Sequence, residues 1–212
     1  PSPNPETPDM VVTAWPPLGM LYIAEVLLTN GIEVSILDQA ARRFSMKQTL
    51  DWVKKEDPDI VGFSVLNSSA KEAAFLAECV KKENPNATIV FGNYHATFNA
   101  ERILKKYPSI DVIVRGEGEL TGLDLAKCVE KKGNLEDVKG ITFRKDGKIV
   151  STPDRPLIKD VDSLSFPNRD LVGAEYSSTI YGVKVASKKF TTIVSSRGCP
   201  FQCTFCACRK FA

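Results

Sequence analysis

Between Pro17 and Arg115 the chain alternates two kinds of segment, and this alternation limits its fold more than any other feature. Apolar residues recur at three- and four-residue steps in Met20, Ile23, Ala24 and Leu27, in Met46, Leu50 and Val53, and in Ala70, Ala73, Ala74, Ala77 and Val80, which predicts three amphipathic helices. Ser69 and Glu72 have the spacing of a capping box at the start of the third. Between and after these helices lie Glu33–Leu37, Ile60–Val65, Ala87–Phe91 and Val112–Val114, nearly all apolar, as strands buried on both faces are. Short turns such as Asn30-Gly31 and Asp57-Pro58 join the segments. The expected fold is α/β, a flavodoxin-like (Rossmann-like) three-layer sandwich with a mostly parallel sheet. Met10–Trp15 is the sole candidate for a strand before the first helix, and it is short. A central strand is therefore expected upstream, and the chain is expected to be a fragment at both ends.

After a helical stretch over Leu120–Lys132 the pattern changes. Ile141–Arg144 and Lys148–Ser151 flank Lys145-Asp146-Gly147 and read as a β-hairpin. A polar linker punctuated by Pro153, Pro156 and Pro167 follows, and a last apolar strand, Thr191–Ser195, runs into Arg197-Gly198-Cys199. The expected division is residues 1–134, 135–190 and 191–212. Basic and acidic residues, 28 and 26, are interspersed and leave a net charge of +2, which gives no sustained field for nucleic acid. No run approaches the ~18 apolar residues of a membrane span, and Pro1–Asp9 lacks the pattern of a signal peptide. A cytoplasmic protein is expected, with no membrane partner.

Four of the six cysteines, Cys199, Cys203, Cys206 and Cys208, fall within ten residues. Such clustering favours a metal over disulfides. Cys199, Cys203 and Cys206 place three thiols on one short loop directly after the last predicted strand. A [4Fe-4S] cluster normally takes four cysteines, so three leave one iron open to another ligand. A structural zinc site using Cys199, Cys203, Cys206 and Cys208 is the alternative. Cys79 and Cys128 read as inert buried thiols.

The C-x3-C-x2-C spacing, with Phe205 before the third cysteine and Arg197-Gly198 before the first, resembles the signature of radical S-adenosylmethionine (SAM) enzymes. The resemblance implies that Cys199, Cys203 and Cys206 hold three irons of a [4Fe-4S] cluster while SAM chelates the fourth. Cleavage of SAM would then give a 5'-deoxyadenosyl radical, with the electron drawn from a reductase or ferredoxin-type donor. On this reading Thr191–Ser195 is the first strand of a radical SAM barrel. Only the 22 residues from Thr191 to Ala212 belong to it, whereas a complete (β/α)8 barrel needs at least ~200. This chain alone is expected to be inactive.

In doubly wound sheets ligands sit beyond the carboxyl ends of the strands. There the sequence places Ser64-Val65-Leu66, Gly92-Asn93-Tyr94-His95-Ala96-Thr97 and Arg115-Gly116-Glu117-Gly118-Glu119, rich in small and hydrogen-bonding residues. With Pro16-Pro17-Leu18-Gly19 before them, and with Arg155-Pro156-Leu157 and Asp162–Pro167 in the linker, they resemble the cobalamin-binding domain that precedes many radical SAM domains. The resemblance implies cobalamin held at Gly19, Ser64, Leu66, Gly92, Asn93, His95, Gly116, Glu117 and Gly118, with its nucleotide tail near Ser64 and Gly92. Ala14 and Pro16 stand where related domains carry Asp and a cobalt-ligating His, so no lower protein ligand is expected there. Gly92-Asn93 replaces a Gly-Gly pair, which would narrow the tail's room. His95, the one histidine, is expected in a structural or corrin-edge role. Glu117 and Glu119 are read as the acidic start of a helix, complementing its dipole.

The implied function is the cobalamin-binding part of a radical SAM enzyme, for methyl transfer or radical oxidation and cyclisation, with small-molecule cofactors as its partners. A cobalamin module without chemistry, or a flavin or nucleotide binder on the same fold, are the alternatives.

Overall fold

A computed structural model of the protein describes residues 15–174, 176, 179–180, 183–184, 191–201 and 203–207. Among these, a five-stranded sheet runs in the order β1 (Ile60–Ser64), β2 (Thr88–Gly92), β3 (Val112–Val114), β4 (Ile141–Lys145) and β5 (Lys148–Ser151). The first three strands are parallel, and the last two continue the sheet antiparallel from β3. The expected hairpin is present, and it shares this sheet. Its turn residues Asp146 and Gly147 have φ of 49° and 73°, the left-handed pair that a two-residue turn requires.

Helices cover both faces, as the alternation predicts. On one side α2 (Met46–Glu56), α3 (Ala70–Glu83) and α5 (Ala100–Lys106) enclose Ile89, Phe91 and Ile113 with Val80, Ile103 and Leu104. On the other, α6 (Glu119–Glu130) packs Leu125 against Val90, Val112 and Val114. Successive residues of β2 thus feed opposite cores, the period of two that makes a parallel strand apolar throughout. Helix α1 (Leu18–Thr29) lies against α6. A short helix α4 (Asn93–Phe98) starts directly from the end of β2. No helix among the described residues is long and apolar enough to cross a membrane.

Several local expectations are corrected. Glu33–Leu37 forms no strand and joins no ladder among the described residues. Its burial still alternates: Ile36, with the partly buried Val34, packs on Leu21 and Ala24 of α1. A strand exists only through a hydrogen-bonded neighbour, and none of the described residues pairs with it in a ladder. Met10–Ala14 of the candidate first strand fall outside the described residues, and Trp15 is irregular. The capping box at Ser69 and Glu72 does not form, because the Ser69 hydroxyl turns back to the Leu66 carbonyl and amide. A capping box forms instead at Ser45 and Gln48, opening α2. Thr191–Ser195 is irregular as well, with Ile193 80% exposed. Cys79 and Cys128 are half-buried rather than buried. Burial, aided by the Asp137 charge, pushes the Cys128 thiol up and suppresses its reactive thiolate.

The linker folds back on the domain. Arg42 donates to the Val172 carbonyl, and the Tyr176 hydroxyl donates to Asp38 at 3.1 Å. Burial, reinforced by the Asp38 carboxylate, holds that hydroxyl well above the usual tyrosine range, so it stays a donor at neutral pH. Val172, 1% exposed, closes the cluster of Leu21, Ala24 and Ile36.

Gly140 starts the hairpin with φ of 81°, and a Cβ there would stand 3.1 Å from Thr121 Oγ1 and 3.3 Å from Arg155 Cβ. Gly140→Ala is expected to destabilise the chain by about 1–2 kcal/mol through left-handed strain alone. A fall in the urea midpoint with unchanged slope checks this.

Candidate functional site at the strand ends

The site begins with register. Ser64 and Gly92 are paired residues at the carboxyl ends of β1 and β2, so the loops that follow leave the sheet side by side. Asn93 comes next with φ of 76°, a left-handed conformation that asparagine tolerates better than most residues. Its side chain reaches across, with Nδ2 donating to Ser64 Oγ at 2.9 Å while Oδ1 accepts from the Tyr94 amide at 2.6 Å. The replacement of a second glycine is therefore accommodated by the backbone, and the amide spans the gap between the two strand ends.

The third loop closes on the second. The Gly116 amide donates to Thr97 Oγ1 at 3.2 Å, and Gly116 itself has φ of 69°. A Cβ on Gly118 would meet Ile23 Cδ1 at 2.6 Å, which gives that glycine a packing reason: it lets the start of α6 approach α1. Gly19, in the first turn of α1, faces open space. His95 sits half-buried in α4, where its carbonyl accepts from the Asn99 side chain. Around these polar groups Leu66 and Tyr94 present exposed apolar surface.

Three other residues of the third loop have structural work that the sequence did not reveal. Arg115 turns into the hairpin and donates to the Ile141 carbonyl, Thr142 Oγ1, the Thr152 carbonyl and Asp154 at 2.6–2.9 Å. Glu117 and Glu119 do more than open a helix. Arg197 donates to Glu117 Oε1 at 3.1 Å and to Glu119 Oε1 at 2.6 Å, and Glu117 Oε2 accepts from the Ile158 amide. Burial works against the Arg197 charge, but the bonds and charges of Glu119 and Glu117 outweigh it and hold the guanidinium above its usual range.

The cysteines follow directly. Cys199, Cys203 and Cys206 are exposed and form no disulfide, with Cys206 N donating to the Cys203 carbonyl at 3.1 Å. Cys208 lies outside the described residues. Three cysteine thiols on one loop have the donor chemistry for three irons. Their sulfurs are not gathered into a metal-binding group among the described residues. Phe201 and Phe205, 71% and 91% exposed, lie on the same loop.

One cleft, lined by Lys81, Asp111, Cys128, Lys132 and Arg144, lies at the opposite end of the sheet. A second lies beside the hairpin, between Thr97, Arg102 and Ser151. Neither is lined by Ser64 or Asn93.

A doubly wound sheet with glycine- and serine-bearing loops at its carboxyl ends defines a small-molecule-binding α/β domain. The particular family is given by sequence: residues 10–126 match the B12 binding domain, and the chain belongs to that family. It is 35% identical over 198 residues to an uncharacterized methyltransferase, PH0819, of Pyrococcus horikoshii, with 93% of this chain and 42% of that protein covered. It is likewise 35% identical over 205 residues to the anaerobic magnesium-protoporphyrin IX monomethyl ester cyclase of Rubrivivax gelatinosus, covering 93% of this chain and 36% of the cyclase. The chain thus spans well under half the length of these relatives. In fold it is similar to the cobalamin-dependent SAM radical enzyme OxsB, solved with aqua-cobalamin, at a TM-score of 0.67 and 24% identity over 75% of this chain and 22% of that one. The resemblance read from the motifs and the expected fold class are both borne out.

Proposed function

We propose that this chain is the front section of a longer radical SAM enzyme. It would bind cobalamin at the strand-end loops and present Cys199, Cys203 and Cys206 to a [4Fe-4S] cluster, for methyl transfer or radical oxidation and cyclisation. The observation that carries this reading is that Ser64, Asn93, Thr97 and Gly116 converge at one end of the sheet and the cysteine loop is tied to that same end. When bound, the cluster and SAM supply a carbon radical and cobalamin supplies a methyl carrier.

The chain's own residues bind and orient. Ser64 offers its hydroxyl to a nucleotide tail, and Asn93, bonded to that hydroxyl, stands at the tail's entry. Leu66 and Tyr94 offer apolar surface to a corrin, while Gly19 and Gly116 allow its close approach. Pro16 has no side-chain donor for cobalt, and His95 follows the second strand of the sheet rather than preceding the first helix, so we assign it a corrin-edge or structural role. The exposed Ile193, Val194, Phe201 and Phe205 favour a longer enzyme over a free-standing module, because apolar surface gathered around one loop calls for more protein to cover it. The division at residues 134 and 190, a reductase or ferredoxin-type electron donor and a cytoplasmic setting belong to the same proposal.

Titration of the chain with hydroxocobalamin, followed by absorbance and by co-elution on gel filtration, tests the reading. Stoichiometric, saturable binding is expected. Asn93→Gly is expected to tighten it about twofold to tenfold, since one hydrogen bond to Ser64 no longer has to be broken for the tail to enter. Absence of binding by both proteins would remove cobalamin from the account.

A further inference from the structure

Among the described residues, the segment from Thr191 to Gly198 has no backbone pairing with the sheet. It is fastened by side chains: Arg169 donates to the Thr192 carbonyl at 3.0 Å, and Arg197 reaches Glu117 and Glu119. The second fastening is the more constrained. The Glu119 side chain is 6% exposed and that of Glu117 10%, so each carboxylate is withdrawn from water and needs a partner. The guanidinium fork meets both, and it also lies 5.3 Å from the centre of the Tyr22 ring on α1. Gly198, with φ of 78°, then turns the backbone away from the anchor, and Cys199 follows. Arginine holds, glycine turns, and cysteine is presented.

We infer that Arg197 is a positioning residue that locks the start of the cysteine loop onto Glu117 and Glu119. The thiols are thereby held at a fixed place over the carboxyl end of the sheet, beside the face assigned to cobalamin. The inference rests on the proposed function for what the thiols and that face would bind, but the clasp itself is a property of these three side chains. It gives Glu117 and Glu119 a function in joining two parts of the protein, distinct from acid–base work or helix-dipole compensation. Because Glu117 also accepts from the Ile158 amide at 2.7 Å, the same clasp gathers the linker.

Backbone order parameters of the 212-residue chain, measured by ¹⁵N relaxation, test this directly. Gly198 and its neighbours are expected near the ~0.85 of rigid backbone in the unaltered chain and below ~0.6 in Arg197→Met. The double variant Glu117→Gln, Glu119→Gln keeps the size and shape of both side chains and is expected to free the same residues. Adding Arg197→Met to it should free them no further, since the three groups act as one unit. Arg197→Lys keeps the charge without the fork and should fall between. Unchanged order in Arg197→Met, full rigidity in Arg197→Lys or additive loosening in the triple variant would each overturn the clasp. Hydroxocobalamin titration of the same proteins reads the cobalamin assignment separately. If the unaltered chain fails to bind, that assignment falls while the order parameters still decide the clasp.

Discussion

In the longer enzyme proposed for this chain, serine at any one of Cys199, Cys203 or Cys206 is expected to abolish the [4Fe-4S] cluster that anaerobic reconstitution otherwise assembles. Three thiolates hold three irons and leave only the fourth open, and a hydroxyl is a poor substitute for a soft sulfur ligand. Iron and sulfide analysis, with the charge-transfer absorbance of the cluster, should fall to background in each variant. Cys208→Ser is the control. It should retain the cluster, whereas a structural zinc site built on four cysteines would lose its metal with Cys208 as readily as with the others. Zinc in place of iron in the unaltered protein would overturn the assignment. Cys199, Cys203 and Cys206 are exposed and held in no disulfide, so their sulfurs are accessible to metal.

The second large effect belongs to Arg115, whose side chain is 14% exposed and makes four bonds to the hairpin and the segment that follows it. Its backbone amide also donates to the Gly140 carbonyl at 2.8 Å, so β3 and the start of β4 are joined twice at the same point. Arg115→Met keeps the length of the stem but leaves the Thr152 carbonyl and Thr142 hydroxyl without their charged donor. We expect a loss of roughly 2–4 kcal/mol, since bonds to a charged group contribute more than neutral ones but do not add in full. The fall in urea midpoint should exceed that of Gly140→Ala. Little of the loss is assigned to the Asp154 contact, because that carboxylate is 89% exposed and screened by water. A shift within experimental error would mean that the hairpin is held by its apolar contacts alone.

Much of the architecture was legible in the sequence because it follows from local periods. The three- and four-residue steps of Met20–Leu27 and Ala70–Val80 became α1 and α3, and the apolar runs at Ile60, Ala87 and Val112 became parallel neighbours. Asp146-Gly147 set its turn through backbone preference alone. The cysteine spacing and the strand-end motifs carried the family for a similar reason: a metal loop or a tight turn is recorded in consecutive residues. Elsewhere a local signal was outcompeted. Ser69 had the spacing of a cap but bonded to Leu66, and Glu33–Leu37 had the composition of a strand without a described neighbour to pair with.

The sequence by itself therefore determined the layered α/β fold, the family and the identity of the thiols, all of which depend on residues close together along the chain. Only the tertiary structure decided what Arg115, Asn93, Glu117, Glu119 and Arg197 do. Asn93 and Ser64 are 29 residues apart, and Arg197 and Glu119 are 78 apart. No period or spacing records such a pairing, because it arises only when the sheet brings its strand ends into register and the linker returns the cysteine loop to them.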